Sequence, residues 1–221
     1  ILPDSLYNQD TSKEDSPMRL TVSLLLIISI ALTSPASAPL ADGADQEMAL
    51  LERSLESNPN NSEKQSRLGF LYLKSGHYDK SIPHLKKALE INPNLAESHF
   101  HLGLAYGALG KHQDKIKEYR ESLRLNPNLA MAQFKMGLAN AAMDRHQEAI
   151  EHYKKSISIY SGFPNAHYFL ALSYFMTKRH KEMIQPLQLA IVLEPENADY
   201  HYLLGLANLR LGRYQASIAP L

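Results

Sequence analysis

Cysteine is absent from the 221 residues, and so is tryptophan. Without a thiol there is no disulfide, no thiolate nucleophile and no cysteine-ligated metal, and either redox compartment stays open. An excess of one charge is also lacking, since 23 basic residues are balanced by 23 acidic ones, interleaved rather than blocked. No basic stripe is available to a phosphate backbone, so nucleic acid is not an expected partner. A phosphate-cradling glycine loop, a nucleophile elbow and a zinc-binding HExxH are all missing, and the chain reads as non-enzymatic with no cofactor. Mixed charge in Lys111–Glu121, including Glu118 and Glu121, reads as solvated helix face. What is present is the ordinary balance of a folding chain, 44% apolar and 21% charged, enough to bury a core.

One long apolar run stands out, the 13 uncharged residues from Leu20 to Leu32, preceded by Met18 and Arg19 and followed by TSPASAPLA. A short basic start, an apolar stretch and small residues make a signal peptide over residues 18–38. The run is shorter than the roughly 20 residues a bilayer crossing needs. Cleavage after Ala36 fits better than after Ala38, where Pro39 would adjoin the cut. Translation is read as starting at Met18, with residues 1–17 a non-native or disordered upstream stretch. The expected location is exported, periplasmic or secreted; the alternative is membrane attachment through an uncleaved segment 20–32.

Beyond residue 44 the chain repeats. Pro59, Pro93, Pro127 and Pro195 stand 34, 34 and 68 residues apart, and in the same frame fall Leu68, Leu102, Met136, Leu170 and Leu204. Gly69, Gly103, Gly137, Ala171 and Gly205 follow directly after them. A fixed period of this size marks a stacked repeat architecture. Each unit holds two stretches of three-and-four spacing, for example Ser62–Ser75 and Tyr78–Asn92, joined at Gly76 and closed by Asn92-Pro93-Asn94. Gly110 and Gly212 occupy the equivalent turn, where a left-handed backbone suits glycine. Pro83, Pro186 and Pro220 fall inside second helices and are expected to bend them locally.

These positions resemble the tetratricopeptide (TPR) signature W-x2-L-G-x2-Y, A-x3-F, P. The resemblance rests on Leu68, Gly69, Tyr72, Ala88 and Pro93 in one unit and on Leu102, Gly103, Tyr106, Tyr119 and Pro127 in the next. Gly137, Ala149 and Tyr153 continue it, then Leu170, Tyr174, Ala190 and Pro195, then Leu204 and Gly205. Tryptophan is replaced throughout, by Gln65, His99, Gln133, His167 and His201. The resemblance implies an all-α, right-handed superhelical solenoid of antiparallel helix pairs, with repeats 62–95, 96–129, 130–163, 164–197 and a truncated 198–221. Residues 39–61 read as a linker and an N-terminal capping helix, Ala44–Ser57. The stop inside a second helix reads as a fragment of a longer protein.

In such a solenoid the first helices line a concave groove. Groove positions here hold Ser66, Phe100, Phe134, Tyr168 and Tyr202, and one turn later Phe70, Leu104, Leu138, Leu172 and Leu206. An aromatic and aliphatic wall implies a peptide or protein ligand with apolar anchors. The lysine and asparagine clamp by which some relatives hold a chaperone's C-terminal carboxylate is not implied, because aromatics stand in its place. The expected function is an exported, non-catalytic scaffold for protein or peptide binding. The alternatives are the docking module of an enzyme continuing beyond Leu221 and a self-assembling structural protein, and no oligomeric state is implied. Of the 10 histidines, His112, His146 and His180 recur one repeat apart, roughly 10 Å if helices pack normally, too far to share a metal ion. His99 and His101 point to different helix faces and make a poor chelate.

Overall fold

A computed structural model describes residues 41–213. The upstream stretch 1–17, the signal segment 18–38 and the last unit from Tyr214 onward lie outside the described residues. Helices run α1 Ala41–Ser57, α2 Ser62–Lys74, α3 Tyr78–Ile91, α4 Ala96–Ala108, α5 His112–Leu125 and α6 Ala130–Ala141. They continue as α7 His146–Ile159, α8 Pro164–Met176, a 3₁₀ turn His180–Met183, α9 Ile184–Leu193 and α10 Ala198–Arg210. Among the described residues there is no strand, and no helix is long and apolar enough to cross a membrane.

Punctuation in the sequence explains the boundaries. The Asn61 side chain caps α2 by accepting from the Lys64 amide at 3.0 Å, satisfying a donor the helix cannot. Within the NPN loops, Asn92 and Asn126 accept from the amides of Asn94 and Asn128 at 3.1 and 3.0 Å. At the other joint the amides of His77, Lys111, Arg145 and Arg179 reach back to the carbonyls of Tyr72, Tyr106, Asn140 and Tyr174. That six-to-one closure needs a left-handed residue just before it. Gly76 and Gly110 supply it at φ 76° and 71°, whereas Asp144 and Lys178 are held at φ 59°, where a side chain is strained.

The core is built from one pairing repeated. In the first three units the glycine after the repeated apolar position packs under a large side chain of the second helix. A Cβ added to Gly69 would lie 2.6 Å from Leu85 Cγ, and one on Gly137 only 2.5 Å from Tyr153 Cε1. Leu85 and Tyr153 are fully buried and cannot yield. The fourth unit has Ala171, and there Leu187 takes the place that Tyr119 and Tyr153 fill in the second and third units.

Pro83 lies inside α3, which continues unbroken to Ile91. Upstream of Pro186 the second helix of the fourth unit begins as the 3₁₀ turn, as expected where proline offers no amide to the preceding turn.

Contacts run between sequence neighbours and between the first helices of successive units, α2 with α4, α6 with α8 and α8 with α10. The pair α4 and α6 is the exception and meets least, and α5 also packs more sparsely on α6 than α3 does on α4. The second and third units nevertheless share one buried cluster, Phe100 and Tyr119 with Ala132 and Met136.

Candidate binding groove

First helices α2, α4 and α6 lie side by side with their N-terminal halves turned toward a common groove of about 610 Å³. Phe70, Phe100, His101, Leu129, Met131 and Ala132 form its apolar wall, with Arg67, Glu63 and Glu97 among its charged side chains. Inside it Phe70, His101 and Phe100 form a stack, with ring centroids 4.6 and 5.8 Å apart. Ser66 and Ser98 share a hydroxyl hydrogen bond of 2.7 Å. Arg67 is occupied by Glu47 of α1 at 2.7 Å, which raises the guanidinium pKa and lowers that of the carboxyl through their hydrogen bond. Burial pushes the His101 imidazole down to about 4, so the ring is neutral and its contribution to the wall is that of an aromatic.

The expected stripe is not uniform. Phe70 and Phe100 line the groove, Phe70 half-buried and Phe100 only 9% exposed, its ring held in a core cluster with Tyr119, Ala132 and Met136. Phe134 does not belong to an open surface: it is 5% exposed and enclosed by Phe163 at 4.6 Å and by Phe169 and Tyr153 at 5.8 Å. Leu172 is likewise 7% exposed and part of the core. The reason is local. Phe163 and Phe169 bring extra rings to the third joint, and these close over Phe134. Leu104 is half-buried against the Phe100 and Tyr119 cluster, and Leu138 and Leu206 are half-buried too. Tyr168 packs on Tyr200 at 5.3 Å, while Tyr202 is 71% exposed. Met131, 44% exposed on the groove wall, was not among the sequence candidates.

A second periodic feature fills the space left by the missing tryptophans. In every unit the replacement side chain donates to the loop carbonyl six residues upstream. Gln65 bonds Pro59 at 3.0 Å, His99 bonds Pro93 at 3.1 Å and Gln133 bonds Pro127 at 2.9 Å. His167 bonds Ser161 at 2.9 Å and His201 bonds Pro195 at 2.7 Å. In the first three units a partner from the second helix completes the link: His84 to Gln65 and His152 to Gln133 at 2.8 Å, and Glu118 to His99 at 2.6 Å. In the fourth, Pro186 stands where that partner would be. Burial lowers the pKa of His84 and His152. Burial also pulls on His99, but the hydrogen bonds to Glu118 and the Pro93 carbonyl and the charges of Glu118 and Glu121 outweigh it and raise the pKa. His99 is the one ring of the three with an acceptor on both nitrogens.

Where the second and third units meet, two half-buried lysines form no ion pair among the described residues. The Lys115 stem runs over Gly107, close enough that a Cβ there would meet its Cδ at 2.9 Å. The Lys135 ammonium lies 5.8 Å from the Phe134 ring centroid. Burial lowers the pKa of both, and the charge of Lys115 lowers that of Lys135 further. His146 of the recurring histidine set meets Asp144 at 3.2 Å and His180 packs on Phe175. Among the described residues no group of three or more His, Asp or Glu is arranged to hold a metal ion.

Stacked antiparallel helix pairs around a groove of first helices define a helical repeat scaffold. Family models match over residues 69–110 (TPR repeat), 96–129 (tetratricopeptide repeat) and 142–221 (anaphase-promoting complex, cyclosome, subunit 3). The chain belongs to the tetratricopeptide repeat family. Among solved structures it is similar to a MamA protein at 30% identity, covering 72% of this chain and 86% of that one with a TM-score of 0.61. A second MamA structure shows 28% identity over 74% of this chain and 99% of that one, TM-score 0.63. YrrB, described as a TPR protein with an unusual peptide-binding site, shares the fold at 12% identity, with 76% and 87% coverage and a TM-score of 0.69. No curated protein sequence matches the chain. Repeats of this family are interaction modules, and the fold supports a protein-interaction scaffold.

Proposed function

We propose that the chain is an exported scaffold that takes a peptide segment of a protein partner into the groove across α2, α4 and α6. The carrying observation is the groove itself, walled by Phe70, Phe100, His101 and Met131, a concave apolar surface with a few polar groups able to fix orientation. Phe70 and Met131 are the anchoring side chains, with Phe100 as the floor beneath them and the half-buried Leu104, Leu138, Tyr168 and Leu206 and the exposed Tyr202 extending the wall along the array. An extended or short helical peptide with apolar residues suits it, because burial of its anchors supplies the affinity. Export rests on the signal-like segment 18–38, and the peptide-binding description of YrrB is consistent with the use of the groove.

Selection of peptides on the purified protein from a random library, followed by affinity measurement on Phe70→Ala and Met131→Ala, tests the groove. Loss of about tenfold in affinity per anchor is expected. Selected peptides that bind both variants as they bind the parent would refute it. Expression from Met18 in a bacterium with periplasmic fractionation tests export, and a mature N-terminus at Ser37 is the expected product.

A further inference from the structure

A helix that packs one face inward normally turns charge outward, and the second helices of the first three units do so. On α3 the outer positions carry Lys86, Lys87 and Glu90, on α5 Arg120, Glu121 and Arg124, and on α7 Lys154 and Lys155. Lys87 pairs with Glu90 at 3.3 Å and Arg124 with Glu121 at 2.6 Å. The fourth unit departs from this. The 10 residues of α9 include no charged side chain, and Gln188, Leu189 and Val192 stand in the register of those charges. Pro186, Leu187 and Ala190 are buried, and the helix packs on α8 and α10, so its inward face is already covered. Outward, Leu189 is 42%, Val192 74% and Leu193 42% exposed. Spacings of three and four residues gather these side chains on one surface of a single helix. An apolar outer face costs solvation wherever water is its only neighbour.

The charges that α9 lacks stand at its two ends, one sign at each. Lys178, Arg179 and Lys181 precede it, and Glu194 and Glu196 follow it. Arg179 is taken by Glu182, and Glu194 accepts from the Tyr200 hydroxyl and the Asn197 amide. Lys181 and Glu196 are exposed and form no ion pair among the described residues. The 3₁₀ turn His180–Met183 runs directly into α9, so the two charges lie on the order of 20 Å apart with the apolar patch between them. Turned end for end, this surface matches itself. Lys181 then faces Glu196 of a second copy, Gln185 faces Val192, and Leu189 lies beside the twofold axis.

We infer that α9 is a dimerisation face, across which two copies of the chain pack antiparallel about a twofold axis near Leu189. The patch alone would admit any apolar partner; the opposite charges at its ends select a second copy and set its direction, because a parallel arrangement would place lysine on lysine. The outer faces of α3, α5 and α7 are poor mates for the patch, since their charged side chains would lose water there. This inference does not rest on the groove reading, whose residues belong to α2, α4 and α6 and the loops between them.

Sedimentation velocity on the full chain over about a hundredfold range of concentration tests this, with a dimer in equilibrium with monomer as the expected result. Leu189→Lys combined with Val192→Ser installs the outer residues of the third unit, Lys155 and Ser158. That variant should stay monomeric at every concentration while melting at the parent's temperature. Lys181→Glu and Glu196→Lys each set like charges against one another twice, and each should weaken the dimer about tenfold. Mixed in equal amounts, the two single variants should form a heterodimer as tight as the parent dimer, because both end pairs are then opposite in sign again. A parent that is monomeric throughout, an assembly of more than two copies, or a dimer that survives Leu189→Lys with Val192→Ser would overturn the proposal. Single swaps without effect, or a mixture that fails to restore the dimer, would overturn the antiparallel pairing. Capture of an apolar peptide by a monomeric parent, abolished by Val192→Ser, would give the face to a foreign partner and overturn it too. Phe70→Ala and Met131→Ala should dimerise as the parent does, so that failure of the groove reading leaves this one standing and the reverse.

Discussion

Glu118 accepts a hydrogen bond from His99 Nδ1 at 2.6 Å, and the opposite ring nitrogen of His99 donates to the Pro93 carbonyl at 3.1 Å. A neutral imidazole has only one N–H, so both bonds are donated together only by the imidazolium. Units one and three solve the same problem with Gln65 and Gln133, whose amides donate to the loop while accepting from a histidine. The second unit thus carries a charged version of a link that is neutral on either side of it.

From this follows a pH signature. His99 has a raised folded-state pKa, so its contribution is fully present below the unfolded histidine value of about 6.5 and is lost as pH rises through the folded value. Melting temperatures of the parent and of Glu118→Gln should differ most at pH 5.5 and converge toward pH 8.5. The swap His99→Gln with Glu118→His recreates the neutral link and should remove that trend. A parent-to-Glu118→Gln gap that widens at high pH would show the pair is not held charged.

His101 titrates with the opposite sign. Its folded-state value is pushed down to about 4 by burial between the groove phenylalanines, so the stability it confers is present above about 6.5 and lost as pH falls toward 4. His101→Phe keeps the ring stack and removes the proton acceptor. Relative to the parent it should gain stability at pH 5 and change little at pH 8, measured by urea unfolding at the two values. Equal gains at both would mean that the ring's size, not its titration, decides.

Gly137 and Tyr153 should be strongly coupled. Gly137→Ala puts a methyl 2.5 Å from a ring atom with no exposed surface, and the overpacking should cost about 2 kcal/mol. Tyr153→Leu shortens the opposing side chain to that of Leu187, which already coexists with Ala171. The double variant should recover at least about 1 kcal/mol of the sum of the single effects in a thermal or denaturant cycle. Strict additivity would show that the pair is not the contact point.

The fold was legible because its determinants are spaced by the repeat itself. Pro93 and Pro127 close loops, Gly69, Gly103 and Gly137 mark close approaches, and each sits where the structure uses it. The groove was less legible, since Phe134 and Tyr202 occupy one register position yet Phe163 and Phe169 bury the first while the second is 71% exposed. Periodicity assigns a side chain to a face and cannot weigh what the next unit places over it. The links at Gln65, His99 and Gln133 escaped notice because their first partner is a backbone carbonyl, which leaves no trace in residue type. A signal did exist, the matched spacing of 19 residues from Gln65 to His84, His99 to Glu118 and Gln133 to His152.

The described helices pack chiefly on the helices next to them in the chain, and first helices also on those one unit away. A molecule assembled like this has no keystone. Loosening need not be all-or-none, since one joint can part while others hold. Deuterium should therefore enter unevenly along the array, one helix pair exchanging while its neighbours stay protected.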